Sequence, residues 1–371
     1  MVAHLAPVAL VGGQLATRLR DVTSDIGALG SAGFWVIALS FEGEAICARF
    51  ADVRPARREL VPPPVWQGPS PGTWKSSLDR SGFCAAVNAV RAAIAAGDVY
   101  QVNLCRILSA PVRADADILA LGTTLAVGNP APHAAIVRLP DHGLHVASAS
   151  PELFLRREGN QVQCRPIKGT AAPDRPFTAK DEAENVMIVD LVRNDLGRVC
   201  AVGTVKVPAL CQIEHHPGLD HLVSTVSGQL LPGIRWLEVL EATFPPGSVT
   251  GAPKLAALDL IRQLEPTPRG PYCGAIGWVD ADAKQAELNV AIRTFWFDEG
   301  SLCFGSGAGI TWDSKPEGEW EETQLKARRL LALASRRTEV PNPGVSSPKS
   351  AVCGGGRESN PPAGSAPAQR F

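Results

Sequence analysis

The amino-acid sequence predicts an α+β fold in which most strands pair antiparallel. Three β-rich segments, 274–279, 287–297 and 302–312, follow one another with only short Asp- and Gly-containing turns between them. Strands joined by short turns pair antiparallel, because a parallel pair needs a long crossover connection. Amphipathic helices lie outside this block, for example over 81–96, so strands and helices do not alternate as in a doubly wound α/β fold.

Composition excludes several classes of protein. The chain has 371 residues, 45% of them hydrophobic, and its 36 Lys and Arg residues nearly balance 37 Asp and Glu residues. A net charge of -1 gives no field that would attract nucleic acid or an anionic membrane. The nine cysteines show no metal-site spacing, and no apolar run is long enough to span a membrane. We therefore expect a cytoplasmic protein with reduced thiols and with neither nucleic acid nor membrane as a partner.

The first part of the chain is predicted to be a β-rich segment of the same fold. Short apolar runs such as 34–39 stand between Gly and Asp residues, which is typical of strands and turns. Residues 60–74 are rich in Pro and Gly and suit an exposed connection. We accordingly divide the chain into an N-terminal segment, 1–74, and a catalytic domain, 75–335.

The catalytic domain is predicted to begin with a helix and a strand. Apolar residues recur at three- and four-residue spacing from Phe83 to Ile94, and Gly97 follows as a helix terminator. These features predict a helix over 81–96. A strand is predicted directly after it, over 99–108.

Two later helices carry the pattern of a capping box. Thr178 with Asp181 is predicted to cap one helix, and Ser314 with Glu317 is predicted to cap the last one. Beyond that last helix, residues 336–371 are rich in Pro, Gly and Ser and lack apolar periodicity. This tail is predicted to be disordered.

Glu152 and Lys168 are the first candidates for chemistry. They lie in Ser-Pro-Glu-Leu-Phe (150–154) and Pro-Ile-Lys-Gly-Thr (166–170), close enough in sequence to meet one substrate. A lysine nucleophile must be neutral, so burial or a neighbouring cation would have to lower its pKa. The alternative is that Lys168 is a solvated surface charge and Glu152 an exposed carboxylate at a strand end.

Acidic residues on two predicted helices are candidates for a metal site. Glu184 lies on one helix, while Glu319 and Glu322 share one face of another. Carboxylates suit Mg²⁺, which takes only one or two from a protein and keeps several waters. The alternative is solvated helix charge, with Glu322 and Lys326 paired at i,i+4 spacing.

Further candidates could bind an anionic substrate. The Gly-rich segment 244–254 leads into a helix, whose first backbone N–H groups favour anions, but it lacks the ending of a nucleotide-binding loop. Arg293 offers a planar fork for a carboxylate, and the glycines of 305–309 permit close backbone approach. A lone histidine such as His221 is more often structural.

Taken together, these motifs resemble those of the chorismate-utilising enzymes over about residues 80 to 335. The resemblance implies two large, mainly antiparallel β-sheets packed together with helices outside, an αββα arrangement. Members that add water to chorismate place a lysine base where this chain has Gln101, which is part of Gly-Asp-Val-Tyr-Gln-Val-Asn-Leu (97–104). Since glutamine cannot accept a proton from water, isochorismate and salicylate synthesis are disfavoured. Without the other motifs, 97–104 would be an ordinary amphipathic strand.

The resemblance also implies a reaction. Anthranilate synthases carry alanine at the position of Lys168, whereas aminodeoxychorismate synthases carry the lysine. Amination at C4 without loss of pyruvate is therefore expected, with Lys168 attacking C2 and Glu152 acting as general acid and base. Anthranilate synthesis is the nearest alternative, and a non-catalytic scaffold subunit is an alternative of another class.

The remaining roles follow from the same resemblance. Glu184 and Glu322 are expected to hold Mg²⁺, with Glu319 acting through water. Residues expected to contact chorismate are Thr170, His221, Ser248, Tyr272, Arg293, Gly307 and Gly309. The sequence contains no Gly-x-Cys-x-Gly nucleophile motif, so a separate glutamine amidotransferase subunit is expected to supply ammonia. Another enzyme would then be needed to make p-aminobenzoate for folate.

Overall fold

The structure is a computed structural model that describes residues 6–56, 65–171, 176–216 and 219–336. The side chains at positions 170, 171, 216 and 219 lie outside that description. All described residues belong to one compact unit. Residues 60–64 of the Pro-rich connection and all but the first residue of the predicted tail fall outside the described ranges.

Strands account for more of the described chain than helices do. They are β1 Val8–Val11, β2 Gln14–Thr23, β3 Phe34–Leu39, β4 Ala45–Pro55, β5 Lys75–Ser76, β6 Gln101–Pro111, β7 His133–Leu139, β8 Leu144–Ser150, β9 Leu153–Glu158, β10 Gln161–Arg165, β11 Ile167–Ala171, β12 Lys206–His216, β13 Leu219–Gln229, β14 Gly251–Ala252, β15 Ala275–Asp280, β16 Gln285–Val290, β17 Thr294–Asp298 and β18 Ser301–Ile310. The α-helices are α1 Arg80–Ala96, α2 Ile118–Gly128, α3 Ala179–Gly197, α4 Trp236–Thr243, α5 Lys254–Leu264 and α6 Pro316–Ala334. None of these described helices is long and apolar enough to cross a membrane.

The described strands join into one antiparallel hydrogen-bonded network. Its order runs from β12 and β13 through β10, β9, β16, β15, β3 and β4, and then through β2, β1, β7, β8, β17 and β18 to β6. One apolar cluster contains buried residues from both ends of this order, so the network folds over its own core. The two expected sheets are the two halves of this network.

Helices cover the outside of the two halves. Helix α3 packs against β11, β12 and β13, whereas α1 and α6 pack against β6 and β18, and α2 packs against β7 and β8. This arrangement confirms the predicted α+β class with helices outside antiparallel sheets.

Two predicted helices are confirmed, together with their caps. Helix α1 begins after Asp79, whose carboxylate accepts a hydrogen bond from the Gly82 N–H, and it ends at Gly97 with φ 85°. Helix α3 begins with the predicted capping box, in which Thr178 and Asp181 each bond the backbone of the other. These caps satisfy backbone N–H and C=O groups that the helix itself leaves unpaired.

The predicted cap of α6 is wrong. Lys315 is the N-cap residue and makes no side-chain cap, because Pro316 takes the first helical position and leaves Ser314 one residue too early. The Ser314 hydroxyl instead donates to the Glu319 carboxylate at 2.5 Å. Glu317 pairs with Arg80 of α1 at 2.6 Å.

The predicted strand 287–297 is two strands. Strand β16 ends at Val290 and β17 begins at Thr294. Arg293, between them, has φ 53°, a left-handed conformation that no strand allows. This break sends β17 to pair with β8 while β16 pairs with β9.

Candidate active site

Glycines of β18 let other side chains approach its backbone closely on one face of the β6–β18 pair. A Cβ atom at Gly309 would lie 2.4 Å from Gln101 Nε2 and 3.6 Å from Lys168 Nζ. A Cβ atom at Gly305 would lie 2.0 Å from the Tyr272 ring. Real Cβ atoms do not show contacts that short, so a side chain would have to displace the buried Tyr272 ring at Gly305, or the flexible end of Gln101 at Gly309. The same geometry brings Lys168 and Gln101, which are distant in sequence, to one place.

Gly307 shares this face and connects it to helix α6. A Cβ atom there would lie 2.5 Å from Cys105 Sγ. The Lys326 ammonium of α6 donates to the Gly307 carbonyl oxygen at 3.2 Å. The predicted substrate-binding glycines therefore form a backbone surface that also anchors the helix carrying Glu319 and Glu322.

Glu152 is a buried carboxyl group between β8 and β9, with only 3% of the residue exposed. Ser248 hydrogen-bonds its side chain, and the Ile167 N–H donates to its Oε1 at 3.4 Å. Burial raises the pKa of Glu152 to about 7, although Ser248, Lys168 and the Ile167 N–H all favour the ionised form. A carboxyl group with this pKa can both give and take a proton near neutrality.

Lys168 is partly buried on β11. Burial is the largest cause that lowers the pKa of its amine, and the nearby Lys326 ammonium lowers it further. The carboxylates of Glu184, Glu152 and Glu322 oppose this shift. Burial and a neighbouring cation, either of which can lower the pKa of a lysine nucleophile, are thus both present.

Three acidic residues of α3 and α6 face Lys168 or one another. Burial is the largest cause that raises the pKa of Glu184 and that of Glu319. The charge of Glu322 raises both pKa values further, and Asp181 also raises that of Glu184. Glu184 lies 3.7 Å from the Lys180 ammonium, and Glu322 lies 2.6 Å from that of Lys326. The two helices therefore bring carboxylates together, with lysine ammoniums as their present partners.

The acidic group fits a magnesium ion by its chemistry more than by its present geometry. No three His, Cys, Asp or Glu side chains of the described chain are close enough together to hold a metal. The mutual repulsion of these carboxylates is nevertheless what a bound cation would relieve, and their oxygens are the ligands that Mg²⁺ prefers. Magnesium binding stays a prediction.

The other predicted binding residues lie on several different elements of the fold. His221 is buried on β13, and its backbone pairs with that of Thr170, whose side chain lies outside the described residues. Burial raises the pKa of Tyr272. Arg293 is partly buried, and burial together with the nearby Arg329 guanidinium lowers its pKa.

Some residues of this region were not predicted from sequence. The Lys254 ammonium pairs with the Asp195 carboxylate at 2.7 Å, close to Glu152. The buried Asn185 amide donates to the Leu222 carbonyl oxygen at 3.0 Å and accepts from the Ser224 hydroxyl. Lys254 ends the Gly-rich segment, which was a usable signal, but no local pattern indicates a partner so far along the chain.

A layered antiparallel fold thus carries a carboxyl group that titrates near neutrality, a lysine whose neutral form is favoured, and carboxylates on two helices. This combination defines an enzyme site for acid–base and nucleophilic amine chemistry. The sequence model of the family described as "chorismate binding enzyme" matches residues 31–332. The chain belongs to this family of chorismate-utilising enzymes.

Two curated relatives represent two different activities. The aminodeoxychorismate synthase component 1 of Salmonella typhimurium is 39% identical over 270 residues, which are 70% of this chain and 58% of that protein. The anthranilate synthase component 1 of Streptomyces coelicolor is 41% identical over 280 residues, which are 72% of this chain and 54% of that protein. The matched region thus spans a little over half the length of these relatives.

Solved structures share the fold. The anthranilate synthase component I of Streptococcus pneumoniae superposes with a TM-score of 0.71 at 22% identity, covering 89% of this chain and 91% of that one. The menaquinone-specific isochorismate synthase of Escherichia coli superposes with a TM-score of 0.74 at 18% identity, covering 89% of both chains. At this level of identity the likeness concerns the architecture alone.

Proposed function

We propose that this protein is the chorismate-aminating component of an aminodeoxychorismate synthase. It would convert chorismate and ammonia into 4-amino-4-deoxychorismate and water. The observation that carries the proposal is the placement of Lys168, a partly buried lysine with a lowered pKa, beside Glu152, whose pKa is about 7. One group suits a nucleophile and the other an acid that becomes a base.

The two residues divide the reaction into two displacements. The neutral Lys168 amine attacks C2 of chorismate, both ring double bonds shift, and the C4 hydroxyl leaves as water with the proton of Glu152. Ammonia then attacks C4, both double bonds shift back, and the lysine amine is expelled. The Glu152 carboxylate takes the surplus proton from the new amine, which restores both residues.

Gln101 supports ammonia rather than water as the final nucleophile. Its amide is buried beside Gly309, and neither its nitrogen nor its oxygen has a hydrogen-bond partner among the described residues. A neutral amide cannot remove a proton from water, whereas ammonia is nucleophilic without losing one. Gln101 therefore cannot act as the base that would activate water, and it does not hinder amination by ammonia.

The acidic residues have a binding role in this proposal. Glu184 and Glu322 would hold Mg²⁺, with Glu319 contributing through water. When bound, the metal supplies positive charge for the ring carboxylate of chorismate. Arg293 and the backbone of Gly307 and Gly309 would bind the second carboxylate, for which a guanidinium fork and free N–H groups are suitable.

Ammonia would come from glutamine through a separate amidotransferase subunit. The name "component 1" of the Salmonella relative supports a partner of this kind. The product would then pass to another cytoplasmic enzyme for conversion to p-aminobenzoate and folate.

Anthranilate synthase component I is the second candidate. The Streptomyces relative, 41% identical, favours it. Both activities begin with amination of the same substrate, so the fold, the acid and the metal site would be equally suitable. Lys168 is the feature that separates them in our proposal.

A product assay decides between the candidates. The purified protein is incubated with chorismate, Mg²⁺ and an ammonium salt, and the products are analysed by mass spectrometry. We expect an aminated product that retains its enolpyruvyl group. Anthranilate as the sole product would establish the second candidate, and no chorismate consumption by folded protein, with or without an amidotransferase subunit, would favour a scaffold role.

Glu322→Gln is expected to remove most Mg²⁺-dependent chorismate consumption, by about 100-fold, because an amide is a weak ligand for this cation. The measurement is the rate of consumption as Mg²⁺ is varied. Glu321→Gln is the matched control, since Glu321 is an exposed neighbour on the same helix. Equal Mg²⁺ dependence in both variants would contradict the assigned role of Glu322.

A further inference from the structure

A small cavity lies behind Glu152, enclosed by β9, α3 and the segment before α5. Its volume is about 20 Å³, and Glu152, Ser248, Asp195 and Thr243 contribute polar groups to its lining. Lys168 is not among the described residues that line it. The cavity has room for one water molecule, and although most of its lining is apolar, Glu152, Ser248 and Asp195 offer such a water hydrogen-bond partners.

The far side of the cavity carries an ion pair that the proposed reaction does not use. Lys254 Nζ lies 2.7 Å from Asp195 Oδ2 and donates to the Thr243 carbonyl oxygen at 3.3 Å. The Asp195 side chain is 10% exposed and that of Lys254 is 17% exposed. The pair is thus mostly buried, but it reaches solvent through the lysine.

We propose that water in this cavity connects the Glu152 carboxyl group with the Asp195–Lys254 pair. The charges of this pair then set how readily Glu152 gives and takes its proton. The inference rests on the proposed role of Glu152. Charges acting through a low-dielectric cavity influence a carboxyl group this deeply buried more than charges in water would. Asp195 and Lys254 are positioning residues, since they act through Glu152.

Other charged or titratable groups also face the two carboxyl groups. Lys168 acts on Glu152 from β11, and Arg198 acts on Asp195 from the end of α3. Cys164 lines the cavity from β10, and burial followed by Asp195 raises the pKa of its thiol, so it stays protonated. All of these groups remain in place when only the ion pair is changed.

Opposite charge changes at the pair should shift the pH profile in opposite directions. Asp195→Asn leaves the Lys254 ammonium uncompensated, which favours ionised Glu152, so activity should fall at a lower pH than in the wild type. Lys254→Met leaves the Asp195 carboxylate, so activity should persist to a higher pH. We expect shifts of about half a pH unit or more.

The measurement is kcat/KM for chorismate consumption across the neutral pH range. Asp195→Asn combined with Lys254→Met removes both charges and should return the midpoint towards the wild-type value. Asp117→Asn is the control, because it weakens another mostly buried ion pair, at 2.6 Å from Arg138, far along the chain. Reduced activity without a shift, or shifts in the same direction for both single variants, would overturn the proposal.

Two features keep the test decisive. The assay counts chorismate consumed rather than the product formed, so an anthranilate product would defeat the proposed function without affecting this result. Titration of the Glu152 carbonyl band by difference infrared spectroscopy, assigned with Glu152→Gln, reports the same shift in protein that does not turn over. If Asp195→Asn does not fold, the sign of the Lys254→Met shift decides.

Discussion

Replacement of Lys168 by alanine should lower kcat/KM for C4 amination by about 1,000-fold or more, because the first displacement loses its nucleophile. Direct attack by ammonia would remain as a slow route, and a small amount of anthranilate is expected beside the main product. The assay separates the two products by mass spectrometry at saturating ammonium.

The loss should be chemical rather than structural. Burial disfavours the charged lysine, so its removal relieves an unfavourable desolvation and should not lower thermal stability. Lys168→Arg is the matched variant, since it keeps a cation at the position but cannot become neutral, and it should be as inactive as Lys168→Ala. An unchanged rate and product in Lys168→Ala would show that the lysine marks the family without performing the reaction.

Glu152→Gln should lower chorismate consumption by about 100-fold to 10,000-fold, the usual contribution of a general acid or base. In the wild type, activity should fall as pH rises through about 7, where Glu152 loses its proton. Protonation of the Lys168 amine also removes the nucleophile, and burial, by lowering its pKa, keeps more of the amine neutral. The check is the pH dependence of kcat/KM for wild type and variant.

Stability provides the control for this variant. The pKa of Glu152 in the folded protein is raised above its ordinary value of 4.5, so the protonated form is the one that favours folding. That contribution is complete below pH 4.5 and is lost as pH rises through about 7. Above neutrality, Glu152→Gln should therefore melt no lower than the wild type. Retained activity with an unchanged pH profile would remove Glu152 from the mechanism.

Local sequence patterns predicted most of the elements near the site. Strand β3 has the predicted bounds, α1 ends at the predicted Gly97, and α3 begins at the predicted capping box. Such caps depend on residues a few positions apart, so the sequence contains their cause. The wrong cap at Ser314 arose from a competing local signal, since Pro316 fixes the first helical position.

Contacts between distant parts of the chain could not be predicted in the same way. The break at Arg293 follows from two neighbouring strands that need different partners, β9 and β8. The closeness of Gln101 to Lys168 depends on the register of β6 with β18, and the Asp195–Lys254 pair depends on how α3 packs near α5. The family resemblance named Glu152 and Lys168, but only the fold shows their burial, on which their pKa values depend.

The glycines of β18 have a consequence for how such a site can diversify. A surface made of main-chain atoms presents the same shape to every ligand. It has no side-chain rotamers that could adjust and no side-chain groups that a substitution could change. In the proposed function, the reaction is chosen by side chains that reach this surface from other strands, chiefly Gln101 and Lys168. Substitutions at those side chains would then change the reaction, while the backbone surface beneath them keeps its shape.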